Sequence, residues 1–169
     1  LLLMALLGLR AKVWPKASLY INAAPHIVFD MIDMGHGKVE NWGRTTTLTE
    51  QVEPGGNLYR KTYTTTLTTG VAKTSSALFS HRLRQVPTRL EVAREGLEGR
   101  SLNNELLSQT YVVTPQGNGT KLSIAYEWGP RPFLAQLIAR ADLWGGLFRL
   151  KSLAETGRPS DLAYQLITA

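Results

Sequence analysis

The sequence contains no cysteine, which excludes disulfides and thiolate metal sites and leaves the redox compartment undetermined. Histidine is scarce too. His26, His36 and His81 are the only three, none at metal-ligand spacing from another and none beside a carboxylate cluster. No metal and no cofactor are therefore expected. A nucleophile elbow, a phosphate-binding loop and a dinucleotide fingerprint are missing, since Gly117-Asn118-Gly119 has too few glycines and falls in a hairpin. Charge is lopsided, with 19 Lys and Arg against 13 Asp and Glu for a net +6. These cations are scattered (Arg82, Arg84, Arg131, Arg140, Arg149, Lys151) and not interleaved with aromatics, which argues against a nucleic-acid partner. What is present, 43% apolar residues in a chain of 169, suffices for one domain with a real core.

The front end is apolar from Leu1 to Leu9 and then basic at Arg10, Lys12 and Lys16. Nine residues make about 13 Å of helix against roughly 30 Å of bilayer core, so this run cannot span alone. A first residue other than Met reads as the cut end of something longer, and a severed membrane anchor explains both the leucines and the basic cluster. The positive-inside tendency then places the domain on the cytoplasmic side of a membrane, with Trp14 at the interface. The end of a signal peptide and an apolar helix packed on the domain are the competing readings.

Ala17–Asn22 alternates as a first strand. Asn22 is placed to cap a short helix with Pro25 in its first turn and Ile27, Val28, Met31 and Ile32 on its apolar face. A second helical turn is expected over Lys38–Trp42. From Arg44 to Trp128 the texture is threonine- and tyrosine-rich, cut by Pro54-Gly55-Gly56, Gly70, Pro87, Gly99 and Pro115-Gln116-Gly117-Asn118-Gly119. That pattern predicts six strands in an antiparallel meander. The last element is a long helix from about Pro130 to Thr156, whose stripe is Phe133, Leu134, Leu137, Ile138, Ala141, Trp144 and Phe148. Gly145-Gly146 should bend or weaken it, and Gly157-Arg158-Pro159 should stop it. A sheet curled around such a helix leaves a cleft suited to apolar ligands. Residues 1–16 read as the N-terminal segment, 17–157 as the domain and 158–169 as a tail.

Three stretches, ASLYINAAPHIVFDMIDMGHGKVENWGR, RLRQVPTRLEVAREG and GNGTKLSIAYEWGPRPFLAQLIA, resemble the START/SRPBCC superfamily, which includes polyketide cyclase-like proteins. The first matches the opening strand and a motif carried here by Pro25, Val28, Phe29, Asp33 and Trp42. The second matches a turn between strands, Val86-Pro87-Thr88-Arg89-Leu90, and the third the strand before the long helix. The resemblance implies a helix-grip α+β fold: a curved antiparallel sheet of about seven strands wrapped around a long C-terminal helix, with one or two short helices after the first strand. These motifs are turns and packing positions, so they speak to fold and hardly to activity.

Within that fold, alternation puts Phe79, His81 and Leu83 on the cavity side, with Ser80, Arg82 and Arg84 opposite. His81 reads either as a core histidine with one hydrogen bond or as a ligand-orienting or acid/base group. Gln109, Tyr111 and Tyr126 are candidates to meet a ligand head, with Leu134, Ile138 and Ala141 of the last helix lining its apolar part. Tyr59 and Tyr63 stay ambiguous between packing and contact. His26 should face solvent, and His36 sits between glycines in a loop. The favoured expectation is a non-enzymatic binder of a lipid-like or other hydrophobic small molecule, near a membrane through its N-terminus. A cyclase or dehydratase-like enzyme would need His81 and Tyr111 as its catalytic groups, with Tyr126 as helper. A third reading is a structural subunit of a membrane complex, touching its membrane-protein partner through Trp144, Phe148 and the leucines.

Overall fold

The computed structural model describes residues 10–35, 38–42, 45–66, 69–97 and 105–158. Leu1–Leu9, His36 and the tail beyond Arg158 lie outside the described residues, so the expectations placed on them are not addressed by it. The element order is β1 (Arg10–Val13), β2 (Lys16–Ile21), α1 (Pro25–Ile32), β3 (Lys38–Trp42), β4 (Thr45–Gln51), β5 (Leu58–Thr66), β6 (Ala72–Gln85), β7 (Arg89–Glu95), β8 (Leu106–Gln116), β9 (Gly119–Pro132) and α2 (Phe133–Thr156).

All strand pairs are antiparallel, and β3 through β9 run as a meander in which each strand pairs with the next. Within the meander, β3 departs from the expectation. Lys38–Trp42 is a strand paired with Thr45–Thr49 and not a helical turn. With β4 beside it, the ladder outweighs weak local helix preference. At the other edge β9 is long enough to hold two partners: β2 pairs along Thr120–Ala125, and β1 pairs beyond it, with Arg10 opposite Pro132. Residues 10–16, assigned from sequence to the N-terminal segment, therefore begin the sheet. The seven long strands of the expectation are present, with β1 and β3 as short additions.

Proline at the first position opens α1, where its missing N–H has no helical partner to lose. The cap is Ala24, with no side-chain hydrogen bond, so Asn22 does not serve as expected; its backbone N–H donates instead to Glu155 of α2 at 2.7 Å. Val28, Phe29 and Ile32 are buried while Ile27 is exposed, so the apolar face is rotated toward Phe29.

The curved sheet gathers one core from β2, β5 to β9, α1 and α2. Ile21, Val28, Phe29, Phe79, Leu90, Leu122, Leu143 and Leu147 are essentially sealed from water, each contributing on the order of 1.5–3 kcal/mol relative to exposure. α2 lies mainly against β2, with smaller contacts to α1, β9 and β1. Lys151 fastens its end to the Tyr20 carbonyl at 2.9 Å and to Glu155. Gly145-Gly146 does not interrupt the helix, because Gly145 is buried at the contact and packing there offsets the propensity cost of about 1 kcal/mol per glycine. Gly157, at φ 72°, ends it by donating its N–H to the Leu153 carbonyl at 2.9 Å.

The buried face of α2 is Ala139, Leu143, Leu147 and Leu150. This corrects the expected stripe: Leu134 and Ile138 are 59% and 53% exposed, and Phe133, Leu137, Trp144 and Phe148 are exposed with them. The helix is apolar almost all round, so two stripes at helical spacing compete, and spacing alone does not say which one meets the sheet.

Candidate ligand-binding site

The concave face of the sheet carries a group of polar side chains inside an apolar frame. Cross-strand register puts Thr49, Lys61 and Ala77 in one row, and Tyr59 and Phe79 in the next. His81 follows opposite Val92, which is in line with Gln109 and Tyr126. Leu90, Tyr111 and Ile124 form the adjacent row. Paired residues share a side of the sheet, so these side chains converge.

A β-bulge between His81 and Leu83 sets the geometry of the site. One extra residue, Arg82, breaks alternation, so Leu83 pairs with Glu91 on the convex side and Arg84 pairs with Leu90 on the concave side. Leu83 is thereby removed from the expected cavity lining and Arg84 is added. Arg82 stays on the convex side, where it and Ser80 bond Glu95 at 3.2 and 2.5 Å.

Arg84 meets Asp33 at the C-terminal end of α1 with Nε and Nη2, at 2.6 to 3.1 Å. The His81 side chain is only 10% exposed and its Nε2 lies 3.8 Å from Asp33 Oδ1, too far for a hydrogen bond. The Tyr59 ring is 4.8 Å away, centroid to centroid, tilted by 49°. Among the described residues, His81 Nε2 is buried without a hydrogen-bond partner, and so is Thr49 Oγ1 on the same face. Burial pushes the His81 pKa below its ordinary 6.5; Asp33 pulls it back up, and Arg84 and Lys61 add to the depression. At neutral pH the ring is therefore uncharged, with one nitrogen able to donate and the other to accept.

Lys61 is also buried, 9% exposed, with its Nζ 5.9 Å from the centre of the Phe79 ring. Farther along, Tyr111 donates to Gln109 at 3.2 Å and meets Tyr126 edge to face at 6.4 Å. Of the residues singled out from sequence, the structure brings together Phe79, His81, Gln109, Tyr111 and Tyr126. Leu134 and Ile138 stand away from them, and Ala141 is half-buried on the flank of α2. Asp33, Thr49, Tyr59, Lys61 and Arg84 complete the group. Tyr59 and Lys61 alternate with Phe79 across a readable register, but Asp33 and Arg84 meet only through the bulge and the path of the chain after α1. No three His, Cys, Asp or Glu side chains gather as a metal site would need, among the described residues.

No family model matches this chain, and no curated protein matches it in sequence. Solved structures do match. A protein of Chromobacterium violaceum superposes with a TM-score of 0.60 at 18% identity, over 84% of this chain and 96% of that one. The AHSA1-like protein of Aeromonas hydrophila gives 0.56 at 13% identity, over 82% and 90%. The chain has the helix-grip α+β fold of these structures. The di-domain ARO/CYC StfQ of the steffimycin biosynthetic pathway shares it at a TM-score of 0.53 and 15% identity, over 85% of this chain and 51% of that one. This helix-grip chain thus spans about half of that two-domain protein. Identities this low establish architecture, and the chemistry of the site must come from its own residues.

Proposed function

We propose that the protein binds a hydrophobic small molecule against the concave sheet face beside α2, with the polar end of the ligand at His81. The observation that carries this reading is the sealed, unpartnered Nε2 of His81, beside Tyr59 and within one row of Phe79. An unsatisfied buried polar atom costs about 1–3 kcal/mol, which a ligand hydroxyl, amide or carbonyl recovers on binding. Phe79, Tyr111 and Val92 frame that atom with apolar side chains, and the ligand's own apolar surface contributes roughly 25 cal/mol per Å² removed from water. The ARO/CYC protein of the steffimycin pathway has the same fold, which supports a small molecule as the ligand class.

Native mass spectrometry of the protein extracted gently from its host tests this reading. A hydrophobic molecule at near-unit occupancy, released more readily from His81→Ala, is the expected result. A ligand-free mass with nothing taken up from a lipid extract would overturn it and favour a structural subunit.

One observation favours a second reading, a cyclase or dehydratase-like enzyme in the same pocket. Sequence alone supplied no titratable partner for His81, and the fold supplies Asp33 at 3.8 Å. An imidazole of lowered pKa beside a carboxylate is suited to moving a proton at neutral pH. Loss of conversion in His81→Ala with ligand still bound would identify the enzyme; unchanged binding and no conversion by the native protein would leave the carrier.

A further inference from the structure

α2 has a second apolar face that no described residue covers. At 100° per residue, Phe133, Leu137, Trp144 and Phe148 fall within about 60° of one another, beside the buried Leu143 and Leu147. Each of the four is 41–47% exposed. The stripe runs along about 22 Å of helix. The Trp144 and Phe148 rings stack obliquely, with centroids 5.9 Å apart. Trp14, 55% exposed, extends the patch sideways. With Lys16, Arg140 and Trp144 it borders a surface cleft of about 250 Å³. Contiguous aromatic exposure of this kind marks an interaction surface.

The rim of the patch identifies the partner. Arg140 leaves the helix on one flank of the stripe, about 20° from Phe133, and Lys16 adds a second cation beside Trp14. The acid Asp142 lies about 120° around the helix from Phe148, within electrostatic reach of Arg131 and Arg149, and so faces away from the stripe. We propose that this face of α2 docks on an anionic lipid bilayer, lying in the interface without crossing it. The aromatic stripe enters the boundary between headgroups and acyl chains, the tryptophans sit at headgroup level, and the cations reach the lipid phosphates. A spanning role does not fit, because no described helix is long and apolar enough to cross a membrane. A second copy of the chain fits poorly, since pairing this face with itself sets the two cationic rims against each other. Arg10, the first described residue, lies opposite Pro132, which immediately precedes the stripe.

Flotation of the full chain with vesicles tests the surface. Phosphatidylcholine alone is compared with the same vesicles containing about one-third phosphatidylglycerol, at low and high salt. Binding to the anionic vesicles is expected to weaken about tenfold in Trp144→Ser/Phe148→Ser. A comparable loss is expected in Lys16→Gln/Arg140→Gln, together with most of the salt sensitivity. All four side chains are exposed, and unchanged circular dichroism melts will verify that both variants fold. No flotation, or flotation that neither variant alters, overturns the proposal. So does a dimer in sedimentation that Trp144→Ser/Phe148→Ser dissolves, which would make the face a contact between copies.

Discussion

Arg84 and Asp33 form a fork: the guanidinium Nε lies 3.0 and 3.1 Å from the two carboxylate oxygens, and Nη2 lies 2.6 Å from one of them. This pair ties the middle of the sheet to the end of α1, and it holds the carboxylate just short of His81. The charge balance around His81 thus depends on a residue that does not touch it.

Replacing Arg84 with Gln removes a cation that lowers the His81 pKa and releases the carboxylate that raises it. Both changes act in one direction, so the imidazole pKa is expected to rise, as read from its NMR titration. Half-exposure of Arg84 limits the accompanying loss of stability to about 1 kcal/mol. An unmoved titration would mean that burial alone governs the ring.

Stability should depend on pH through the same residue. The folded pKa of His81 lies below its unfolded value of 6.5, so between the two the unfolded chain binds more protons. Its contribution is neutral above 6.5 and becomes a penalty as pH falls through the folded pKa, below which the penalty levels off. Urea midpoints measured across this range should fall for the native protein, and the His81→Gln variant should lose that component of the slope. Identical slopes would place the proton uptake elsewhere.

The two faces of α2 make opposite predictions for similar substitutions. Leu147→Ala empties a fully buried position and should cost about 2–5 kcal/mol. Leu134→Ala and Ile138→Ala alter exposed side chains and should stay within about 0.5 kcal/mol. Denaturant titration of the three variants checks the orientation of the helix, and a large loss at Ile138 would reverse it.

Gly119 follows the turn that opens β9. A Cβ there would sit 2.5 Å from the Ile21 carbonyl oxygen and 2.5 Å from the Tyr20 hydroxyl. The tyrosine can swing away, but the carbonyl belongs to the β2 ladder. Gly119→Ala is expected to cost about 1–3 kcal/mol, seen as a lowered thermal midpoint, while Gly119→Ala with Tyr20→Phe should recover little of it.

Much of the architecture was legible in the residues. Turn signals such as Pro115-Gln116-Gly117 cut the meander where the hairpins occur, and threonine-rich runs such as Thr62–Thr66 are strand. Those are local effects, and local chemistry decides them. The orientation of α2 was not legible, because Leu143 and Leu147 offer as good a stripe as Leu134 and Ile138, and only the sheet chooses between them. The Asp33–Arg84 contact was hidden for a different reason: 51 residues separate the partners, and alternation pointed Arg84 the wrong way. Tyr59 stood among the ambiguous tyrosines, and its neighbour His81 emerged only with the register of β5 and β6.

The bulge at Arg82 makes this region sensitive to counting more than to chemistry. Deleting that one residue would make the ladder regular, with Leu83 still opposite Glu91 and Arg84 still opposite Leu90. Drawing Arg82 into the ladder with nothing deleted would instead turn Leu83 inward and Arg84 outward, and Asp33 would lose its partner although neither member of the pair had changed. Most replacements of Arg82 would be mild by comparison. A relative that lacks the extra residue must therefore be aligned with a one-residue gap at Arg82, because an ungapped alignment would equate side chains from opposite faces of the sheet.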